Sequence, residues 1–280
     1  MMNVMETVQK RYSVRSYDDQ RPVGDEIRSR IQQLFTEHDT GPFGTAVRFK
    51  LLDLDAVDPG ESKSLGTYGM IRGARLYILG AVKDVKGSQI DLGYCLEKII
   101  LEATAMGLGT CWLGGTFRRS SFARQMELAE DELLPAITPV GYPAESAAIQ
   151  DRIVRAGARS TRRKPWSQLF FSVDEKTPLT EDAAGAYRNA LEAVRLAPSA
   201  KNRQPWRIVR DREGSYRLYL KEDQFYNRIL GKIKMQHLDM GIAMSHFELA
   251  AREQGINGRW DPSAPAVNIP GLEHIALWRD

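Results

Sequence analysis

Residues 93–112 read GYCLEKIILEATAMGLGTCW, and residues 241–260 read GIAMSHFELAAREQGINGRW. At a constant offset of 148 residues, Gly93 matches Gly241, Leu101 matches Leu249 and Ala103 matches Ala251. Gly107 likewise matches Gly255, and Trp112 matches Trp260. The spacing 96, 99/100, 103, 106/107 is helical, and so is 244, 247, 251, 254/255. Each helix stops at a glycine, which suits a left-handed C-terminal cap, and runs into a short strand. Working outward, ARLYILGAV at 74–82 and YRLYLKED at 216–223 are alternating strand patterns that share Arg-Leu-Tyr. Further upstream, TGPFGTAVRFKLLD at 40–53 and APSAKNRQPWRIVRD at 197–211 each read as helix exit, turn and strand. Three pairs recur in one order with unequal intervals, the pattern of an old internal duplication.

Periodicity and punctuation predict helices at 3–10, 23–38, 89–107, 119–128, 181–196 and 235–255. Strands are expected at 46–54, 74–82, 135–141, 206–211, 215–221, 257–260 and 273–279. Pro22 just before the second helix, with Asp25 and Glu26 in its first turn, marks a helix start. A basic connector, RIVRAGARSTRRKP at 152–165, divides the chain into a first half at 1–165 and a second at 166–280. The Pro-rich DPSAPAVNIPG at 261–271 reads as an ordered surface connection. Helices and strands mix without a strict βαβ rhythm. The expected class is therefore α+β, with mixed, mostly antiparallel sheets flanked by helices, and not a Rossmann sheet.

The 280 residues are two domains' worth of chain, long enough for a large core without staples. Lys+Arg number 39 against 36 Asp+Glu, a net +3 too weak to imply a nucleic-acid footprint. Two cysteines, Cys95 and Cys111, exclude a disulfide framework and a Cys-based zinc site. His38, His237, His246 and His274 give no HxxH or HExxH spacing, so no metal is expected. No apolar run approaches the roughly 20 residues of a membrane span. The polar start MMNVMETVQKRYS lacks a signal core, so the expected location is cytoplasmic.

Four stretches could carry chemistry. In Arg11-Tyr12-Ser13-Val14-Arg15, two guanidiniums and a hydroxyl alternate, and an extended backbone points all three one way. That kit suits a phosphate monoester, although a bare RxSxR is more often a solvated basic turn. Ala197-Pro198-Ser199-Ala200-Lys201-Asn202-Arg203-Gln204-Pro205-Trp206 is a loop stiffened by two prolines and rich in amide and hydroxyl groups. It could be a connector, or it could face the edge of a heterocycle. Trp112-Leu113-Gly114-Gly115 ends a short strand with adjacent glycines, which lets backbone N–H groups approach a flat ligand. The GLG at 107–109 is not a dinucleotide fingerprint, because its glycines end a helix. Arg162-Arg163-Lys164-Pro165 is a charge run before the amphipathic WSQLFF; it is solvated surface or a second phosphate clamp.

Taken in order, RYSVR, helix-GLGT-W-GG, PVGYP at 139–143, Arg-Lys-Pro before WSQLFF, and APSAKNRQPW resemble the flavin-dependent nitroreductases. The resemblance covers nearly the whole chain, and APSxxNxQPW is its most diagnostic piece. It implies a layered α+β fold and FMN as cofactor. In ordinary members the two motifs lie about thirty residues apart in one subunit of a homodimer, with FMN between subunits. Here RxSxR lies in the first half, followed by TGPFGTAVRF without the Ser and Asn, whereas the second half keeps APSAKNRQPW and lacks RxSxR. The chain thus resembles a fused pseudo-dimer with one shared site, expected to be a monomer.

Carried over residue by residue, Arg11, Ser13 and Arg15 would grip the FMN phosphate and ribityl chain, with Tyr12 contributing backbone. Pro198, Ser199 and Asn202 would approach from the other half, Gly114 and Gly115 would offer N–H groups to the N5/O4 edge, and Arg163 would serve the phosphate. Members often carry an acidic residue where Gly114 stands, and a lysine near the pyrimidine where this chain has Thr67, Tyr68, Gly69 and Met70; of these, Tyr68 and Gly69 would contact the cofactor. Tyr68, Phe43 and Trp206 are candidates to line the acceptor slot, or are ordinary core. The resemblance implies ping-pong transfer of hydride from NAD(P)H to flavin N5 and on to nitroaromatics, quinones or free flavin. An FMN carrier or sensor with little turnover is the alternative. A basic-surface interaction protein would rest on RYSVR and TRRK alone.

Overall fold

The computed structural model describes residues 2–145, 162–173, 176–223 and 231–280. Among these, β1 (Val47–Asp53), β2 (Leu76–Lys83), β3 (Gly109–Thr110) and β4 (Glu132–Gly141) form one antiparallel sheet, ordered β1-β2-β4-β3. A second sheet holds β5 (Phe170–Ser172), β6 (Trp206–Arg210), β7 (Tyr216–Leu220), β8 (Arg259–Asp261) and β9 (Glu273–Arg279), ordered β5-β6-β7-β9-β8. Its last four strands repeat the antiparallel neighbour order of the first sheet. β5 adds in parallel along β6. The expected α+β class holds.

The helices of more than one turn among the described residues are α1 (Val4–Lys10), α2 (Asp25–Glu37), α3 (Ser88–Ala105), α4 (Arg119–Met126), α5 (Arg188–Leu196) and α6 (Met235–Glu253). α3 packs on β1 and β2, α6 packs on β6, and the two helices pack on each other between the sheets. β2 explains its own sequence. Leu76, Ile78 and Val82 face the central core, and Tyr77, Leu79 and Ala81 face a second cluster with Phe117 and Phe122. With both faces buried, the strand is apolar almost throughout.

Two expectations change. The helix expected at 181–196 is broken: a turn at Glu181–Ala184, capped by Thr180, gives way at Gly185 (φ 56°), and α5 starts at Arg188. WSQLFF becomes a 3-10 turn leading into β5, because Phe170 and Phe171 each find a buried face on the second sheet. Of the connector at 152–165, only 162–165 lies within the described residues.

The α3–α6 crossing is close enough to require glycine. A Cβ on Gly93 would lie 2.2 Å from the Leu238 carbonyl oxygen, and one on Gly241 would lie 1.9 Å from that of Ile90. The contact is reciprocal: 93 and 241, like 90 and 238, are separated by the same 148 residues seen in the sequence. Beside it, Tyr94 donates to Glu248 Oε2 at 2.7 Å, and Lys98 donates to Tyr94 Oη at 2.6 Å and to Glu248 Oε1 at 3.2 Å. A buried acid–base pair of this kind contributes little net stability but punishes the loss of either partner.

We predict that Gly241→Ala costs about 3 kcal/mol or more, because backbone carbonyl has no room to yield. Gly255→Ala, at a left-handed cap with open space around it, should cost about 1 kcal/mol. Urea unfolding of the two variants checks the ranking; equal losses would contradict the close crossing.

Candidate functional site

A cavity of about 490 Å³ forms where the segment after α1, the end of β3, the α5–β6 loop and the face of α6 meet. That size is in the roughly 300–1,000 Å³ range of small-molecule sites. α1 ends as Arg11 N–H donates to the Thr7 carbonyl, and the chain then runs extended beside β3. Ser13 bridges Thr110, and Val14 N–H donates to the Thr110 carbonyl at 2.9 Å. Alternation brings Arg11, Ser13 and Arg15 to the cavity and buries Val14 against Gly109. Tyr12, 38% exposed, does not line it.

Gly114 and Gly115 line the same cavity. Leu113 exchanges backbone bonds with Ile137, and the Arg119 guanidinium donates to the Gly114 and Pro135 carbonyls, so the segment is held from behind. A Cβ on Gly114 would meet Met235 Cε at 2.0 Å. Met235 from α6 therefore occupies the space that an acidic side chain at 114 would need.

The loop from 197 to 206 brings Pro198, Ser199 and Asn202 to the cavity. Lys201, Asn202 and Gln204 all have left-handed backbone, at φ 49°, 55° and 48°. Each such residue costs on the order of 1–3 kcal/mol and persists only if its surroundings enforce it. Gln204, which the sequence reading did not nominate, is the enforcer. It is buried, its N–H donates to Ser199 Oγ at 2.9 Å, and its Oε1 accepts Lys164 N–H at 2.7 Å. Its Nε2 donates to the Asn202 and Arg162 carbonyls. Asn202 itself accepts from Arg163 at 3.0 Å and donates to the Arg162 carbonyl at 2.7 Å, so its amide ties the loop to the 162–164 segment.

Arg163 lines the same cavity as Arg11. Burial, then the nearby Arg11 and Arg195, pull its guanidinium down to about 10, so it stays cationic at neutral pH. Arg11 Nε is buried, has no hydrogen bond among the described residues and lies 3.9 Å from Glu97 Oε1. Glu97 is fully buried; it accepts Trp112 Nε1–H at 2.6 Å and faces His246 Nε2 at 2.8 Å. Because His246 Nδ1 donates to the Ala193 carbonyl at 3.0 Å, one proton lies between Nε2 and the carboxylate. A second, larger cleft adjoins the cavity and is rimmed by Lys164, Arg203, Arg207 and Lys221. Burial and those neighbours bring the Lys164 ammonium down to about 8.

Other nominated residues lie elsewhere. Tyr68 and Gly69 form the tip of a turn (φ 50° and 73°), with Tyr68 67% exposed; from that stretch Met70 lines the cavity. Trp206 is fully buried in the central core, and Phe43 packs against that core and over Gly87.

The family model described as "Putative TM nitroreductase" matches residues 3–251. The chain belongs to this nitroreductase family. Similar solved structures include one described as "a putative nitroreductase" from Thermotoga maritima, with TM-score 0.61 and 21% identity over 99% of this chain and 92% of that one. Another is a nitroreductase with bound FMN from Bacteroides fragilis, with TM-score 0.39 and 18% identity over 52% of this chain and 91% of that one. An FMN-dependent nitroreductase from Clostridium difficile matches with TM-score 0.40 and 19% identity over 50% and 87%. No curated protein sequence matches the chain. Among the described residues, no helix is long and apolar enough to cross a membrane, and no cluster of acidic, His and Cys residues could hold a metal ion.

In this nitroreductase-family chain, the wall missing from the sequence reading is one face of α6: Met235, Leu238, Asp239 and Ile242. Their spacing was legible as helical, but the apolar members look like ordinary core. Asp239 carried the usable signal, a carboxylate on a buried face with no Lys or Arg three or four residues away. Burial raises it to about 8, and raises Asp91, its counterpart 148 residues earlier, to about 6. Both exceed the unfolded value of 3.8, so the folded chain holds protons that the unfolded chain releases. Stability is therefore lost as pH rises from about 4 to 8. We predict that Asp239→Asn removes part of this slope. In urea unfolding, its gain over wild type should widen from pH 5 to pH 7.5, and a constant gap would contradict the assignment.

Proposed function

We propose that this chain is an FMN-dependent NAD(P)H oxidoreductase with one flavin site, built jointly by two diverged halves at 1–165 and 166–280. The observation that carries the reading is the meeting of Arg11 and Arg163 in one cavity, a buried and a half-buried guanidinium from distant positions that raise each other's need for an anion. A phosphate monoester supplies that anion in the geometry a guanidinium prefers. The apolar strip of Leu113, Met235, Leu238 and Ile242 suits a flat ring system beyond it. The residues present therefore fit FMN.

In this reading Arg11, Ser13, Arg15 and Arg163 hold the phosphate and sugar chain. Pro198, Ser199 and Asn202 close the site from the second half, and the strained loop keeps them rigid. Gly114 and Gly115 leave their backbone accessible to the ring. When bound, the flavin would accept hydride from a nicotinamide donor and pass it to a nitroaromatic, quinone or flavin acceptor. The cationic cleft beside the cavity would face the donor's phosphates. Cytoplasmic action as a monomer belongs to the same proposal.

The duplication is supported by the reciprocal Gly93–Gly241 crossing, the shared strand order and the Asp91–Asp239 pair. A second reading, FMN binding with little turnover, is favoured by Met235 lying against Gly114, which narrows access to the ring edge.

Arg11→Ala and Arg163→Ala should each weaken FMN binding roughly 10- to 100-fold, the range of one to two charge-assisted bonds. Riboflavin, which lacks the phosphate, should lose little. Fluorescence titration of both flavins checks this, and equal losses for the two would overturn the phosphate assignment. Bleaching of bound flavin by NADPH or NADH distinguishes the oxidoreductase from the carrier.

A further inference from the structure

Asp239 is 2% exposed, lines the cavity, and uses only half of its carboxyl. Oδ1 accepts Ala200 N–H at 2.9 Å, which anchors the α5–β6 loop. Oδ2 is buried and has no hydrogen-bond partner among the described residues. Such an atom is costly unless something is meant to meet it.

Asp91 shows what a purely structural version looks like. It stands 148 residues earlier on α3 and anchors the corresponding loop of the first half. There the loop supplies two donors: Phe43 N–H reaches Oδ1 at 2.8 Å, and Thr45 N–H reaches Oδ2 at 2.8 Å. Asp91 does not line the cavity, and both its oxygens are occupied. In the second half the loop supplies one donor and leaves the other oxygen over.

The surroundings narrow what that oxygen can do. On its own helix face Asp239 lies between Met235, Leu238 and Ile242, where a flat ring would rest. The charged and titratable groups nearby are Arg11, Arg15, Arg163 and Lys201 around the cavity, Arg203 in the loop, and Lys234 and His237 on the preceding turn. Asp91 is the corresponding carboxyl on α3. Burial outweighs the hydrogen bond from Ala200 N–H and keeps the proton on the carboxyl at neutral pH, where burial also leaves His237 uncharged. A protonated carboxyl has one O–H to give.

We propose that Asp239 is a ligand-binding group of the flavin cavity, whose Oδ2–H donates to a carbonyl oxygen or ring nitrogen of the bound heterocycle while Oδ1 keeps the loop in place. This rests on the FMN reading above. It adds a specific donor on the α6 wall, and with it a pH limit on binding: when the proton leaves, a carboxylate faces the ring's acceptor edge and repels it.

The test is FMN affinity by fluorescence titration at pH 6 and pH 9 for wild type, Asp239→Asn and Asp91→Asn. Asparagine keeps a carbonyl oxygen for Ala200 N–H and offers an N–H in place of the O–H, with no proton to lose. Wild type and Asp91→Asn should bind at least tenfold more weakly at pH 9 relative to Asp239→Asn, and all three should be within a few-fold at pH 6. Identical pH profiles for wild type and Asp239→Asn would overturn the proposal and leave the FMN reading standing. Failure of every chain to bind FMN would overturn both. Should Asp239→Asn not fold, infrared difference spectra of wild type with ¹³C-labelled aspartate decide the matter. A protonated carboxyl C=O band that shifts when FMN is added supports the hydrogen bond, and an unmoved band overturns it.

Discussion

Two backbones touch where Gly93 and Gly241 cross, and nearly everything else follows from that contact. Helices that approach this closely must carry glycine at the crossing and cannot slide, because a carbonyl oxygen fills each gap. The crossing sets the spacing of the two sheets that flank it. It also fixes the polar seam of Tyr94, Lys98 and Glu248 on the buried surfaces of α3 and α6. Glycine weakens a helix interior by roughly 1 kcal/mol, so close packing of a long, almost wholly buried helix pair must offset that.

The cavity lies along the same seam, and its chemistry is shared across it. Glu97 on α3 and His246 on α6 share a proton at 2.8 Å, and the same carboxylate receives Trp112 and lies 3.9 Å from Arg11. Arg11 is thus positioned by a buried network whose members come from both halves of the chain. On the far side, Arg163 is fixed by Asn202 and the Leu196 carbonyl. Strain in the 199–204 loop is tolerated because Gln204 ties both its ends and the 162–164 segment together.

Much of this was legible in the sequence because it depends on period and punctuation. Helices of nearly twenty residues ending in glycine, strands with both faces apolar, and an alternating Arg11-Ser13-Arg15 run announce themselves locally. What escaped depends on partners far away in the chain. β5 is three residues long, and it is a strand because it pairs along β6 and bridges Pro178. The break at Gly185 separates a turn from α5 within a pattern that reads as one helix. Tyr68 and Gly69 were nominated by resemblance alone, and a left-handed turn carries Tyr68 out to solvent. The α6 wall escaped because Met235, Leu238 and Ile242 facing a cavity look the same in sequence as side chains facing a core. Gly114 lies against the end of the Met235 side chain, 121 positions away in the chain.

In the proposed function one chain, and not a pair, completes one flavin site between its two halves. Native mass spectrometry of the protein loaded with excess FMN measures this directly. The account predicts a single FMN on the mass of a single chain, retained on dilution. Two FMN per chain, or FMN bound only to a dimer mass, would contradict it.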